Sequence, residues 1–226
     1  MQLTYIGQGG LHIKLNNYHI VVDPFVSPNP LAGHLNVDDL AADYILVTHG
    51  HQDHVADVES IATRTGAKIV SNYEIVSYYG AKGFDGHPMN HGGKWNFEFG
   101  MVKYVNAIHS SVLPDGTYGG NPGGFVIDSG DKCFYIAGDT ALTMDMKLIP
   151  MTCRPLDFAV FPIGDNFTMG YDDAVIAADF IQCDTIVGCH YDTFGYIEIN
   201  HQDALDAFHK AGKKLLLPEI GTPIEL

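Results

Sequence analysis

Arginine is nearly absent from this 226-residue chain; only Arg64 and Arg154 occur. Lys and Arg together number 12 against 27 Asp and Glu, a formal net charge of −15. Such a surface repels phosphate backbones, and two arginines offer few bidentate phosphate clamps. Nucleic acid is therefore not an expected partner. The four cysteines, Cys133, Cys153, Cys183 and Cys189, form no C-x-x-C pair. That excludes a zinc ribbon, argues against a disulfide framework, and predicts buried free thiols in a reducing compartment. No apolar run approaches the ~20 residues of a membrane-spanning helix. The opening MQLTYIGQGG has neither the basic region nor the apolar core of a secretory signal. A cytoplasmic protein without membrane association is predicted. No charge block or Pro/Ser-rich linker divides the chain, so a single domain is expected over 1–226.

What is present is a folded-protein composition, 46% hydrophobic and 17% charged, long enough to bury a core without staples. Leu11 to Leu15, Asn16-Asn17 and Tyr18 to Val22 read as a hairpin ending at Asp23-Pro24. Tyr44 to Val47 reads as a strand buried on both faces. Val55 to Thr65 reads as a helix closed by Gly66, with a strand from Lys68 to Ser71. The order then recurs. Phe125 to Ile127 and Cys133 to Ala137 form a hairpin ending at Asp139. Asp157 to Phe161 matches Asp43 to Val47, Tyr171 to Cys183 is a helical pattern, and Thr185 to Val187 matches Lys68 to Val70. The nearly constant spacing of about 115 residues predicts two halves of similar topology packed as α/β layers. Residues 80–124, rich in Gly, His, Asn and Pro, are expected as mobile loops at a functional rim.

Histidine, at 12 copies, is the unexplained abundance. Four potential ligands fall within one short stretch after a buried strand: His49-x-His51-x-Asp53-His54. Alternate side chains of an extended segment point the same way, so His49 and His51 converge on one ion. Asp53 and His54 enter the next helix, whose turn re-aims them at another. Imidazole and carboxylate suit zinc and similar divalent ions. Further candidates end apolar strands: His109 after Tyr104 to Ile108, Asp139 after Phe134 to Gly138, and His190 after Ile186 to Cys189. Open α/β folds build their sites at such carboxyl ends.

The run T-H-G-H-Q-D-H, with the later A-I-H-S, A-G-D-T and G-C-H-Y and with Asp23 in V-V-D-P, resembles the metal motifs of the metallo-β-lactamase superfamily. Pro162 to Gly170, P-I-G-D-N-F-T-M-G, resembles a branch of uncharacterised metal-dependent hydrolases near ascorbate-6-phosphate lactonase. That branch often carries His in a G-H-S/A stretch of the first strand, where this chain has Gly7-Gln8-Gly9-Gly10. The resemblance implies an α/β fold, the four-layer αββα sandwich. It implies His49, His51 and His109 on one metal, Asp53, His54 and His190 on a second, and Asp139 bridging. Diiron oxygen-reducing relatives usually carry Glu where His51 stands and an added flavin domain, so hydrolysis is favoured over redox chemistry.

Two ions, zinc first with manganese, iron or cobalt satisfied by the same donors, would lower the pKa of a bound water and supply hydroxide. Asp53 would orient it and accept a proton as charge moves. Asp23 would fix a ligand from behind, and Asn166 and Tyr191 are candidate substrate contacts. The loop Pro162 to Gly170 is expected to face the metals, because it occupies the place of His49 to His54 in the second half. The other seven histidines are unassigned, with His87 and His91 of the rim segment the nearest to candidates. The expectation is a hydrolase of a small anionic ester, lactone or phosphoester, homo-oligomeric or not. A phosphodiesterase or nuclease of the same fold, which needs a basic groove, and a closed, non-catalytic metal protein are the alternatives.

Overall fold

The structure is a computed structural model and describes residues 1–226. Its first half opens with β1 (Gln2–Gly7), β2 (Gly10–Leu15) and β3 (Tyr18–Val22) as an antiparallel meander. The β2–β3 turn places Asn16 at φ 55°, the left-handed region that Asn tolerates. Three parallel strands follow: β4 (Tyr44–Leu46), β5 (Lys68–Asn72) and β6 (Gly86–Met89). Helices α1 (Gln52–Val55), α2 (Val58–Thr65) and α3 (Tyr73–Ala81) occupy the connections. The second half repeats the plan with β7 (Lys94–Phe97), β8 (Gly100–Asn106), β9 (Gly123–Asp128) and β10 (Cys133–Ile136), then parallel β11 (Phe158–Pro162), β12 (Thr185–Cys189) and β13 (Lys214–Leu216). Helices α4 (Ile149–Thr152), α5 (Tyr171–Phe180) and α6 (His201–Lys210) lie between these strands, and β14 (Pro223–Glu225) returns to pair with β1.

Each half forms a seven-stranded sheet. The orders are β14-β1-β2-β3-β4-β5-β6 and β13-β12-β11-β10-β9-β8-β7. Reading the second from β7, both sheets show three antiparallel pairings followed by three parallel ones. The sequence repeat is thus a repeat of topology. Three cores make the layers. Leu11, Ile13, Leu46, Phe125, Phe134 and Val160 meet between the sheets. Ile45, Val47, Ile61 and Ile75 fill the space under the first helices, and Ala159, Phe161, Ala177 and Phe208 that under the second. The result is the αββα sandwich. It explains why β4 and β11 are apolar at every position: successive side chains enter different cores, each worth roughly 1.5–3 kcal/mol when fully buried.

Two sequence expectations change. The helix over Val55 to Thr65 is broken between α1 and α2, because Asp57 turns its carboxylate out of the helix. Asp57 Oδ2 accepts from the backbone N–H groups of Val26 and Ser27, at 2.6 and 3.0 Å, and ties down the loop after β3. The segment 80–124 is a rim loop only in part: β6, β7 and β8 run through it, while residues 107–122 form a loop that brings His109 and Ser110 to the site. No helix is long and apolar enough to cross a membrane. Cys133, Cys183 and Cys189 are buried free thiols as expected, while Cys153 is only partly buried.

Candidate metal centre

The carboxyl ends of β1, β3, β4, β8, β10 and β12 meet at one rim of the sandwich. His49 follows β4 and is fully buried. Its Nδ1 lies 3.0 Å from Thr48 Oγ1, which in turn donates to Asp23 Oδ2 at 2.6 Å, so its Nε2 faces the rim. There it meets His51 Nδ1 at 3.0 Å. His109, three residues past Asn106 at the end of β8, completes a group whose ligand atoms all lie within 4.8 Å of one another. Burial lowers the pKa of all three imidazoles, most strongly that of His49, where the charge of His54 adds to it. Neutral imidazole is the form that binds a metal.

A second group, Asp53, His54 and His190, gathers within the same span. His54 Nδ1 donates to Asp23 Oδ2 at 2.9 Å, which aims Nε2 at the rim. That Nε2 is buried without a hydrogen-bond partner. It lies 3.6 Å from Asp53 Oδ2 and 3.3 Å from Asp139 Oδ2. Buried imidazole nitrogens normally find partners, and an orphan flanked by two carboxylates fits a cation between them. Burial opposes charge on His54, yet Asp139, Asp53 and Asp23 together raise it well above its ordinary pKa. Burial likewise opposes charge on His190, while Asp139 and Asp53 lift it to about 9. In the metal-free protein, protons thus neutralise the carboxylates that a metal would otherwise neutralise.

Asp139 sits between the groups. Its Oδ2 is 3.8 Å from His49 Nε2, 3.3 Å from His54 Nε2, 3.6 Å from His109 Nε2 and 3.0 Å from His190 Nε2. Burial disfavours its charge, but His190 and His54 hold its pKa well below the carboxylate range. Gly138, at φ 65°, turns the chain here, and a Cβ on it would meet Thr48 at 2.7 Å. Asp23, His49 and His54 also lie close together, but this third group is a support. Both Asp23 oxygens are already used, Oδ1 by the Thr48 N–H at 2.8 Å and Oδ2 by Thr48 Oγ1 and His54. Asp23 therefore stands behind His49 and His54.

Sequence reasoning missed Gln8. It is fully buried at φ 55°, and its Nε2 donates to Asp53 Oδ2 at 2.9 Å. Its carbonyl accepts from the His190 N–H at 2.7 Å and from the Tyr5 hydroxyl at 3.0 Å. One side chain and one carbonyl thus position two residues of the second group. The neighbouring Gly9 touches His54; a Cβ there would lie 2.6 Å from His54 Cε1. The only sequence signal was the G-Q-G-G run itself, whose missing histidine drew attention away from the glutamine.

Above the metal groups opens a cavity of about 600 Å³. His51, Asp53, His109, Asp139 and His190 form its floor, and Phe25, Pro28, Phe167 and Phe194 stand around it. Two candidate contacts need correction. Asn166 does not line this cavity; it turns into an adjacent one with Asp165 and Glu198, and Phe167 is the residue by which the Pro162 to Gly170 loop reaches the site. Tyr191 is 7% exposed in the core under the second helices, stacked on Tyr5 with centroids 6.2 Å apart. His190 follows the end of β12 at φ 55°, and this turn of the chain leaves its ring at the rim while Tyr191 packs in the helix-side core. His87 packs on Trp95 and Phe97, and His91 Nε2 contacts the Pro122 carbonyl, so neither enters the centre.

The model of the beta-lactamase superfamily domain matches residues 18–191. A UPF0173 metal-dependent hydrolase of Christiangramia forsetii is 62% identical over 227 residues, covering 100% of both chains. One of Flavobacterium johnsoniae is 61% identical over 226 residues, also covering 100% of both. Among solved structures, Igni18, a novel metallo hydrolase from the hyperthermophilic archaeon Ignicoccus hospitalis, superposes with a TM-score of 0.89 at 31% identity, over 100% of this chain and 98% of that one. The chain belongs to the beta-lactamase superfamily and is a metal-dependent hydrolase of it.

Proposed function

We propose that this metal-dependent hydrolase of the beta-lactamase superfamily holds two divalent ions and cleaves a small ester, lactone or phosphoester. His49, His51 and His109 would hold one ion, Asp53, His54 and His190 the other, with Asp139 shared. The carrying observation is Asp139 Oδ2, which faces four imidazole Nε2 atoms within 3.8 Å and belongs to neither group alone. The donor set, five imidazoles and two carboxylates, suits zinc, and manganese, iron or cobalt accept the same donors. Such ions, when bound, supply Lewis acidity and a water acidified towards neutral pKa.

The chain's own part is positioning and proton handling. Gln8 occupies Asp53 Oδ2, which leaves Oδ1 as the atom that accepts a proton during turnover. His49 and His54 are locked through Asp23 and Thr48, so neither ring reorients as charge moves. The net charge of −15 supports a small-molecule substrate over nucleic acid.

Elemental analysis of protein reconstituted with excess zinc tests the reading. Wild type should carry two ions per chain, and His54→Ala and His109→Ala one each, with turnover of lactones or phosphodiesters lost in both. A wild-type stoichiometry near one would refute the dinuclear centre. Full occupancy without turnover of any ester would favour a binding protein.

A further inference from the structure

We propose that Phe25, Phe167 and Phe194 form an aromatic collar that selects an uncharged carboxylic ester or lactone carrying an aromatic or bulky apolar group. This rests on the hydrolase reading above and narrows its substrate class away from phosphoesters and from the anionic esters that the sequence led us to expect. The three rings come from three separate loops, after β3, β11 and β12, and converge on the mouth of one cavity. Phe25 is 6% exposed, while Phe194 is 37% and Phe167 49% exposed. Phe25 and Phe194 lie 6.2 Å apart between centroids, and Phe167 meets Tyr196 edge-on at 6.1 Å.

Single exposed phenylalanines are ordinary; three around one cavity over a polar floor are the pattern of a ligand site. Each ring also sits on a braced loop. Asp57 holds the backbone at Val26 and Ser27 beside Phe25. The Phe167 loop is pinned by the Met169 N–H on the Thr140 carbonyl at 3.0 Å, next to Asp139. Asp192 fixes the Phe194 loop, accepting from the Ile199 N–H at 3.0 Å and contacting His201 Nε2 at 2.6 Å. The collar is therefore placed relative to the metal groups before any ligand arrives.

Charge narrows the choice. No Lys or Arg lines the cavity, so beyond the histidines, Asp53, Asp139 and the ions they would hold, an anionic substituent among the phenylalanines meets no countercharge. A phosphoryl group would find no side-chain clamp there beyond the metal centre. A ring or branched chain between the phenylalanines loses water contact without leaving a charge unpaired. In the reaction, water's oxygen forms a bond to the acyl carbon and the acyl C–O bond to the leaving oxygen breaks. The water proton passes to the departing oxygen, giving acid and alcohol.

The test compares methyl acetate, methyl phenylacetate and the monoanion methyl hydrogen malonate with zinc-loaded enzyme. Methyl phenylacetate should exceed methyl acetate in kcat/KM by about 10-fold or more, the equivalent of burying part of one ring, and the malonate ester should be the poorest. Phe167→Ala and Phe194→Ala, on exposed positions that the fold tolerates, should each cut the phenylacetate-to-acetate ratio several-fold. A second readout uses metal-depleted protein, which does not turn over its ligand. NMR saturation transfer to methyl phenylacetate should be seen with wild type and lost in the Phe167→Ala/Phe194→Ala double variant. Equal rates for the two neutral esters, preference for the anionic ester, or transfer that survives the double variant would overturn the collar. Ring binding with no turnover of any ester would support the collar and sink the hydrolase reading. Turnover without ring binding or preference would do the reverse.

Discussion

The two halves of the molecule share a strand plan, yet their equivalent strand ends do different work. Asp23 after β3 and Asp139 after β10 are matched by topology. Asp23 lies behind His49 and His54 with both oxygens occupied, whereas Asp139 looks out at both metal groups. Gln8 after β1 corresponds to His109 after β8; the first braces Asp53, the second joins a metal group. Asn72 ends β5 as the cap of α3, where it accepts from the Ile75 N–H at 2.9 Å, whereas β12 ends at Cys189 and is followed directly by His190 of the candidate centre. The turn after β4 carries four candidate ligands, and the turn after β11 carries Phe167 and none. A repeated topology delivers side chains to one rim from both sheets. What each position does there depends on the residue it received.

The largest expected effect comes from the Asp23–Asp139 pair. Asp139→Ala should reduce kcat/KM by about 10³-fold or more, since several kcal/mol of charge stabilisation is at stake, and should lower metal content at both groups. Asp23→Asn should weaken metal binding by only about 10–100-fold, the usual cost of losing a partner behind a ligand. Equal losses in steady-state kinetics and metal analysis would erase the distinction between the matched carboxylates.

The Gln8–His109 pair comes next. Gln8→Leu keeps the volume, removes the donor to Asp53, and should weaken the ion at Asp53, His54 and His190 by about 10-fold or more. Chelator competition should show the ion at His49, His51 and His109 unaffected. If both ions weaken together, Gln8 supports the whole centre and not one side of it.

The two metal groups also differ in how pH acts on the metal-free protein. His190 has a folded pKa of about 9, and that of His54 is also raised, both above the ordinary value near 6.5. Their stabilisation is complete below pH 6.5 and is lost as pH rises towards 9. His49, His51 and His109 have depressed values, so their contribution is present above pH 6.5 and is lost as pH falls below it. Thermal melts of metal-depleted protein should therefore peak near pH 6.5 and drop by several degrees at pH 9. Saturating metal should raise the melting temperature and flatten the high-pH arm, because the ion replaces the protons. A melting temperature still climbing between pH 6.5 and 9 without metal would contradict the charges assigned to His54 and His190.

The smallest effect belongs to Tyr191, beside His190 but in the helix-side core. Tyr191→Phe should leave kcat/KM within about two-fold and stability within about 0.5 kcal/mol. A large kinetic loss would return Tyr191 to the site.

Much of this was legible in the chain. The H-x-H-x-D-H run after a fully apolar strand announced a metal centre, and isolated His109, Asp139 and His190 at strand ends fitted it because open sheets expose those ends together. Gly-rich composition did not separate β6, β7 and β8 from the true rim loop at 107–122, since the same residues that make loops also make tight turns between short strands. Nothing in the loop pattern singles out Phe167 as the residue that reaches the cavity, because a one-residue step along a turn redirects a side chain completely. Gln8 was passed over because its partner, Asp53, is 45 residues away, and local pattern carries no information about such a contact.

The sequence by itself determined the alternation of strands and helices, the repeated order of the two halves and the identity of the seven metal-centre candidates, because those follow from periodicity, donor chemistry and position along a strand. Only the tertiary structure decided that Gln8 steadies Asp53, that Asp57 ties the loop after β3 to the break between α1 and α2, and that three phenylalanines from three loops share one cavity. Those outcomes depend on how two sheets pack face to face, and packing brings together side chains whose separation along the chain gives no sign of their meeting.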